Sequence, residues 1–224
     1  MQFLSSSIGR KILMAITGQL MVLFVVVHLI GNTTIFGWIH GGINAYAEHL
    51  HAFPPLVWAF RAVMLIFVCV HIWFGIQLTL ENSEGRPQQY AVKAVQKATF
   101  ASENMIWTGV LILAFIIYHL LHFTIKANVA PGMALVTDAN GAVNVLTMVV
   151  SSFQNFFVSL IYAVAMVTLF LHLSHGIQSF FQTLGWSSDS AQPCIAKAGT
   201  LTSLVLFLGY IAIPLTILVG ILKG

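Results

Sequence analysis

Nine histidines occur in a chain of 224 residues that carries only six Asp+Glu and nine Lys+Arg. An imidazole can ligate a metal or hold and pass a proton near neutral pH, so its placement is the first clue to chemistry. Six of the nine fall in long apolar runs: His28, His71, His119 and His172, with His122 and His175 one turn beyond the last two. His40, His49 and His51 lie between runs. A polar ring in hydrocarbon needs a partner, so an ionisable residue at such depth is a candidate functional residue. A satisfied helix–helix hydrogen bond is the plain alternative for any one of them.

The elements that must position these rings follow from composition. Hydrophobic residues make up 58% of the chain, charged residues 7%, and mean hydropathy is +0.92. Soluble domains carry about 25% charged residues, so an integral membrane protein is expected and a soluble domain is excluded. The formal +3 comes from scattered charges rather than a basic face, which excludes a nucleic-acid surface. Apolar runs near the length of a bilayer crossing occupy about residues 12–31, 56–80, 103–124, 153–180 and 201–222. None alternates as a barrel strand would, so all are read as helices. The expected fold is all-α: one membrane domain over residues 1–224 with five transmembrane helices, the first four an up-down four-helix bundle. The stretch 127–152 reads as the longest loop, with a turn at Asp138-Ala139-Asn140-Gly141. The first residues do not read as a cleaved signal peptide.

Lys and Arg set the orientation. With the N-terminus in the cytoplasm, Arg10, Lys11, Arg86, Lys93, Lys97 and Lys197 fall inside, and Arg61, Lys126 and Lys223 outside. A location in the cell inner (cytoplasmic) membrane with a cytoplasmic N-terminus is expected.

At 1.5 Å per residue, His28 and His119 each lie about 24 Å beyond the start of their spans. Spans two and four run the other way, and His71 and His172 lie about 24 and 28 Å past theirs. Two rings therefore share an outer plane and two an inner plane, about 15–20 Å apart. In an up-down bundle spans one and three are diagonal, as are two and four. Each plane then holds two imidazoles facing across the core, the geometry of bis-histidine haem iron, repeated twice. The two cysteines, Cys69 and Cys194, form no C-x-x-C-H, so covalent attachment is excluded and two b-type haems are implied. Depth favours His119 over His122, which is expected near the outer headgroups. Gly75 and Gly176 follow His71 and His172 by four residues, on the same helix face, where a macrocycle would approach; glycine is also simply common in membrane helices. A zinc or copper path would need carboxylates or soft ligands nearby, and the spans have no Asp or Glu well inside them.

The chain resembles the di-haem cytochrome b membrane-anchor subunit of succinate:quinone oxidoreductases and quinol:fumarate reductases, of the single-polypeptide, five-helix type. The residues that carry the resemblance are Ser6-Ser7-Ile8-Gly9-Arg10-Lys11, Met14-Ala15-Ile16-Thr17-Gly18, His28-Leu29-Ile30-Gly31-Asn32, His71 with Gly75, Tyr118-His119 and His172-Leu173-Ser174-His175-Gly176. The resemblance implies His28 and His119 as axial ligands of an outer haem, and His71 and His172 of an inner one. It implies a flavoprotein subunit and an iron–sulfur subunit docked on the cytoplasmic face, and electron transfer to or from membrane quinone, with menaquinone favoured by the di-haem type. The chain itself has no dinucleotide glycine fingerprint and no cysteine set for a cluster, so dicarboxylate chemistry would belong to the partners.

The resemblance also implies a carboxylate for quinone proton transfer in the outer stretch after span one. Glu48 is the match, and a solvated surface glutamate is the equal alternative. His49 and His51 beside it read as interfacial residues. Arg10, Lys11, Lys93 and Lys97 fit either cofactor propionates and the partner subunits or positive-inside anchoring. Two other functions compete: a cytochrome b subunit of another respiratory complex, such as a hydrogenase or formate dehydrogenase, and a non-haem transporter.

Overall fold

In the computed structural model, residues 6–85, 98–127, 129–137 and 141–223 are described. Arg86, Lys93 and Lys97 of the orientation argument, and Asp138, Ala139 and Asn140 of the expected turn, lie outside the described residues. Five helices are long and apolar enough to cross a membrane. The first span is Ser7–Thr33, prolonged by a 3-10 turn at Thr34–Phe36. The second is Pro54–Glu84, and the third is Met105–His119 with a π turn at Leu120–Thr124. The fourth is Phe156–Thr183 and the fifth Gln192–Leu218. Among the described residues the only β pairing is a single antiparallel bridge, Thr137–Val143.

Local chemistry explains the boundaries. Ser6 caps the first span, its side chain accepting from the Gly9 N–H at 3.0 Å. The second span opens on Pro54-Pro55, where a missing N–H breaks no helical bond. Ahead of the third span Thr99 caps a single-turn helix, Phe100–Glu103, with Ser102 as its reciprocal partner, and the chain kinks at Asn104 before the span begins. The fifth span starts at Gln192, ahead of the apolar run, with Pro193 in its first turn, where a missing N–H breaks no helical bond.

The stretch 127–152 is not simply a loop. Val145–Phe153 forms a helix of its own with Met148, Val149, Val150, Ser152 and Phe153 buried. Asn144 caps it, accepting from Thr147 N–H at 3.0 Å. Asn155 then caps the fourth span at Phe157 and Val158, so that span starts three residues later than its hydropathy implied. A second short helix, Gly42–His51, follows the first span. Asn44 ties the two short helices together: its Nδ2 donates to Asn144 Oδ1 at 3.1 Å, and its Oδ1 accepts from Leu146 N–H at 3.0 Å. They cover the end at which spans one and three finish, called here the far end.

The first span packs against the second, fourth and fifth; the third packs against the fourth; the fourth lies along the fifth. The diagonal partners, one with three and two with four, make at most marginal backbone contact among the described residues. Apolar burial gives little drive between helices in lipid, so close packing at small residues carries association. A Cβ on Gly209 would lie 2.6 Å from Leu29 Cδ2, and one on Gly199 would lie 3.2 Å from Gln178 Cγ. The second span buries only Leu78 and turns Trp58, Leu65, Ile66 and Trp73 outward. Cys69 is also exposed there, pointing away from the interior but not packed as a core thiol would be.

Candidate functional site

Two pairs of histidines meet in the interior, each pair drawn from diagonal spans. At the near end, His71 of the second span and His172 of the fourth have ring centroids 6.3 Å apart, with planes at 68°. The His71 ring is held by the first span, its Nδ1 lying 3.0 Å from the Met14 carbonyl oxygen. A carbonyl only accepts, so Nδ1 carries the proton and Nε2 keeps its lone pair. Gly18, one turn further along the first span, makes room for that ring: a Cβ there would sit 3.0 Å from His71 Cε1. The His172 Nδ1 lies 3.0 Å from Thr108 Oγ1 of the third span. Thr108 donates its hydroxyl proton back to the Met105 carbonyl at 3.0 Å, so its oxygen accepts from His172 Nδ1–H. The His172 Nε2 is thus also left as a lone pair. Gly109 lies beside this ring, at 3.6 Å from a built Cβ to His172 Cε1.

At the far end, His28 of the first span and His119 of the third have centroids 5.9 Å apart, with planes at 87°. The His28 ring stacks on Phe24 at 5.2 Å and lies 6.1 Å from Tyr210, whose hydroxyl is anchored on the Val25 carbonyl at 2.6 Å. His119 Nδ1 lies 3.2 Å from Tyr162 Oη of the fourth span, and its ring sits between Phe115 and Phe123. The third span changes from α to π geometry immediately after His119. Such single-turn widenings are frequent at functional positions.

His122 is enclosed by protein: it is 0% exposed, with Nδ1 3.0 Å from Tyr162 Oη and Nε2 3.0 Å from Ser152 Oγ. The Val145–Phe153 helix, read as loop from the sequence, supplies Ser152 and closes over the ring. Both ring nitrogens are engaged, whereas His119 has a hydrogen-bond partner at Nδ1 alone. His175 is half-buried one turn beyond His172. Gly75 would bring a Cβ 3.9 Å from Met14 Sδ, and Gly176 has open space around it. The glycines that touch the histidines are Gly18 and Gly109, which the sequence reasoning missed. It looked along each ligand's own helix, whereas these lie on neighbouring ones. Thr108 and Tyr162 were missed for the same reason.

Glu48 is exposed on the Gly42–His51 helix, and His49 and His51 are exposed with their Nδ1 atoms bonded to the Ala45 and Ala47 carbonyls at 2.7 and 2.8 Å. At the near end Arg10 Nη2 pairs with Glu81 Oε1 at 2.7 Å, while its buried Nε has no hydrogen-bond partner among the described residues.

Among the described residues no three His, Cys, Asp or Glu side chains converge as a protein-only metal centre would require. Two imidazoles facing each other are instead the arrangement that axial ligation of a haem would use. Two rings bound through nitrogen at about 2 Å on opposite sides of one metal hold their centroids about 6 Å apart, the separation of both pairs. The residues present therefore fit a haem at each level.

The architecture and its interior define a multi-pass, all-helical membrane protein with two partly buried histidine pairs, one towards each end of the bundle. No known protein family, curated protein or solved structure matches the chain.

Proposed function

We propose that the chain is a di-haem cytochrome b that anchors a succinate dehydrogenase or fumarate reductase to the membrane and carries electrons between its iron–sulfur subunit and quinone. One observation carries the reading. Four imidazoles from alternate spans form two pairs with centroids 5.9 and 6.3 Å apart, and three of the four Nδ1 atoms are engaged by a neighbouring span.

In this reading the first four spans form an up-down bundle. His71 and His172 hold one haem b, and His28 and His119 the other. The bound iron supplies reversible one-electron transfer at each level. The chain supplies the rest. Met14 and Thr108 accept from His71 and His172, orient both rings and raise their basicity as ligands. Gly18 and Gly109 let those rings sit close to the neighbouring backbones. Arg10, Met14 and Gly18 recur every four residues and so share one face of the first span. Arg10 therefore lies about 6 Å towards the near end from Met14, where its unpartnered Nε suits a propionate. Lipid-facing side chains on the second span exclude water from the pairs.

Glu48 takes the quinone proton at the far end, and menaquinone is the favoured substrate. The flavoprotein and iron–sulfur subunits dock at the near end, on the cytoplasmic side of an inner membrane, and carry the dicarboxylate chemistry.

The test is spectral and then functional. A reduced-minus-oxidised spectrum with pyridine haemochrome quantitation should give two b haems per chain. A colourless chain expressed with ample porphyrin would point to a non-haem transporter. Co-purification of a flavin and iron–sulfur pair with succinate-linked quinone reduction separates this assignment from other respiratory cytochromes b.

A further inference from the structure

Beyond the two ring pairs, the far end holds a hydrogen-bonded chain whose direction can be worked out atom by atom. Ser152 Oγ donates to the Met148 carbonyl at 2.7 Å. Its one proton is thereby placed, so towards His122 Nε2, at 3.0 Å, it acts as acceptor. His122 must then carry its proton on Nε2, and its Nδ1 is an acceptor. The group facing that Nδ1 is Tyr162 Oη at 3.0 Å, so the phenol donates to it. With its proton given to His122, Tyr162 has only lone pairs to offer His119 Nδ1 at 3.2 Å. His119 therefore donates from Nδ1, and its Nε2 is left unprotonated towards His28.

The whole chain runs one way, from His119 through Tyr162, His122 and Ser152 to a backbone carbonyl. It sits out of water: His122 and Ser152 are each 0% exposed and Tyr162 is 6% exposed. Aromatic rings wall it, with Phe123 stacked on His122 at 3.8 Å and Phe153 edge-on to Tyr162 at 4.8 Å. In such surroundings each bond polarises the next, and an unmade bond is costly.

We infer that Tyr162, oriented by His122 and Ser152, is a positioning residue that selects Nε2 of His119 as the metal-binding nitrogen and sets the reduction potential of the far-end iron. The inference rests on the haem reading of the histidine pairs. A phenol that is already donating its O–H is a better acceptor, so it draws on His119 Nδ1–H and makes Nε2 a more basic ligand. A more basic axial ligand favours the ferric state and lowers the potential. The near-end iron is governed by Met14 and Thr108 and lies outside this chain.

The experiment is a redox titration of the haem spectrum in the purified full-length protein, comparing wild type with Tyr162→Phe and Ser152→Ala. The result expected is that Tyr162→Phe raises one of the two midpoint potentials and leaves the other in place. Selective loss of the far-end haem from that variant, with the near-end haem retained, supports the same role. Ser152→Ala removes one hydroxyl at the far terminus of the chain, and should raise the same potential by a smaller amount. It serves if Tyr162→Phe does not accumulate. Two wild-type potentials unmoved in both variants would overturn the inference while leaving the haem reading intact. Equal movement of both potentials would also overturn it, because a general loosening of the fold acts on both irons. A wild-type chain without haem would overturn the underlying reading and the inference together.

Discussion

At the scale of single residues, the histidines divide by what their nitrogens do. His71 and His172 are each held at Nδ1 by a group on a neighbouring span, and His122 is held at both nitrogens. That division yields a pairing test. His71→Ala and His172→Ala should each remove the same haem signal, and His28→Ala and His119→Ala the other, read by low-temperature spectra and haem-to-protein ratio. A His175→Ala chain lacking the near-end haem beside a normal His172→Ala chain would reverse the ligand choice in the fourth span. Gly18 gives a second test. A Cβ there is already 3.0 Å from His71 Cε1, so Gly18→Leu must push the ring aside. The expected outcome is loss of the near-end haem with the far-end haem retained, whereas an unchanged spectrum would show that the ring can move without cost.

At the scale of elements, the two short helices decide what the far end is. Val145–Phe153 covers His122 through Ser152, and its start depends on Asn144, which caps Thr147 and accepts from Asn44. Asn144→Ala removes both bonds, at a cost of about 1–2 kcal/mol of local stability. The change should appear as faster proteolysis or hydrogen exchange confined to residues 145–153, and protection equal to wild type would show that packing alone holds the helix. The boundaries of the five spans were legible as apolar runs, to within a few residues for most. The kink at Asn104 and the break at Gln154–Asn155 were not, because each is set by one polar side chain turned onto its own backbone. Such a cap is invisible to a hydropathy window, which averages it away.

At the scale of the whole molecule, five helices among the described residues are long and apolar enough to cross a membrane, and in the proposed topology Lys223 lies across the bilayer from Ser7. The Lys and Arg distribution predicts a cytoplasmic N-terminus. An alkaline phosphatase fused after Lys223 should therefore be active, and a fusion after Gly85 inactive; the reverse pattern would invert the protein and put the proposed docking face at the other end. The fifth span has no histidine and packs along the fourth. Its contribution to the site is indirect, through Tyr210, which lies beside His28 while bonded to the first span.

Composition pointed to a membrane, because so few charges cannot coat a water-facing surface, and the long apolar runs without strand alternation pointed to helices, whose backbone groups bond within their own segment. Helical rise alone brought four histidines to two depths. Which ring turns towards which, and which nitrogen of His71, His119 and His172 is engaged, was decided only by the tertiary structure. Those outcomes depend on Met14, Thr108 and Tyr162, residues on other spans, 43 to 64 positions away from the rings they hold. A hydrogen bond across a helix interface leaves no periodic trace in the sequence of either helix, so it becomes readable only once the spans are packed.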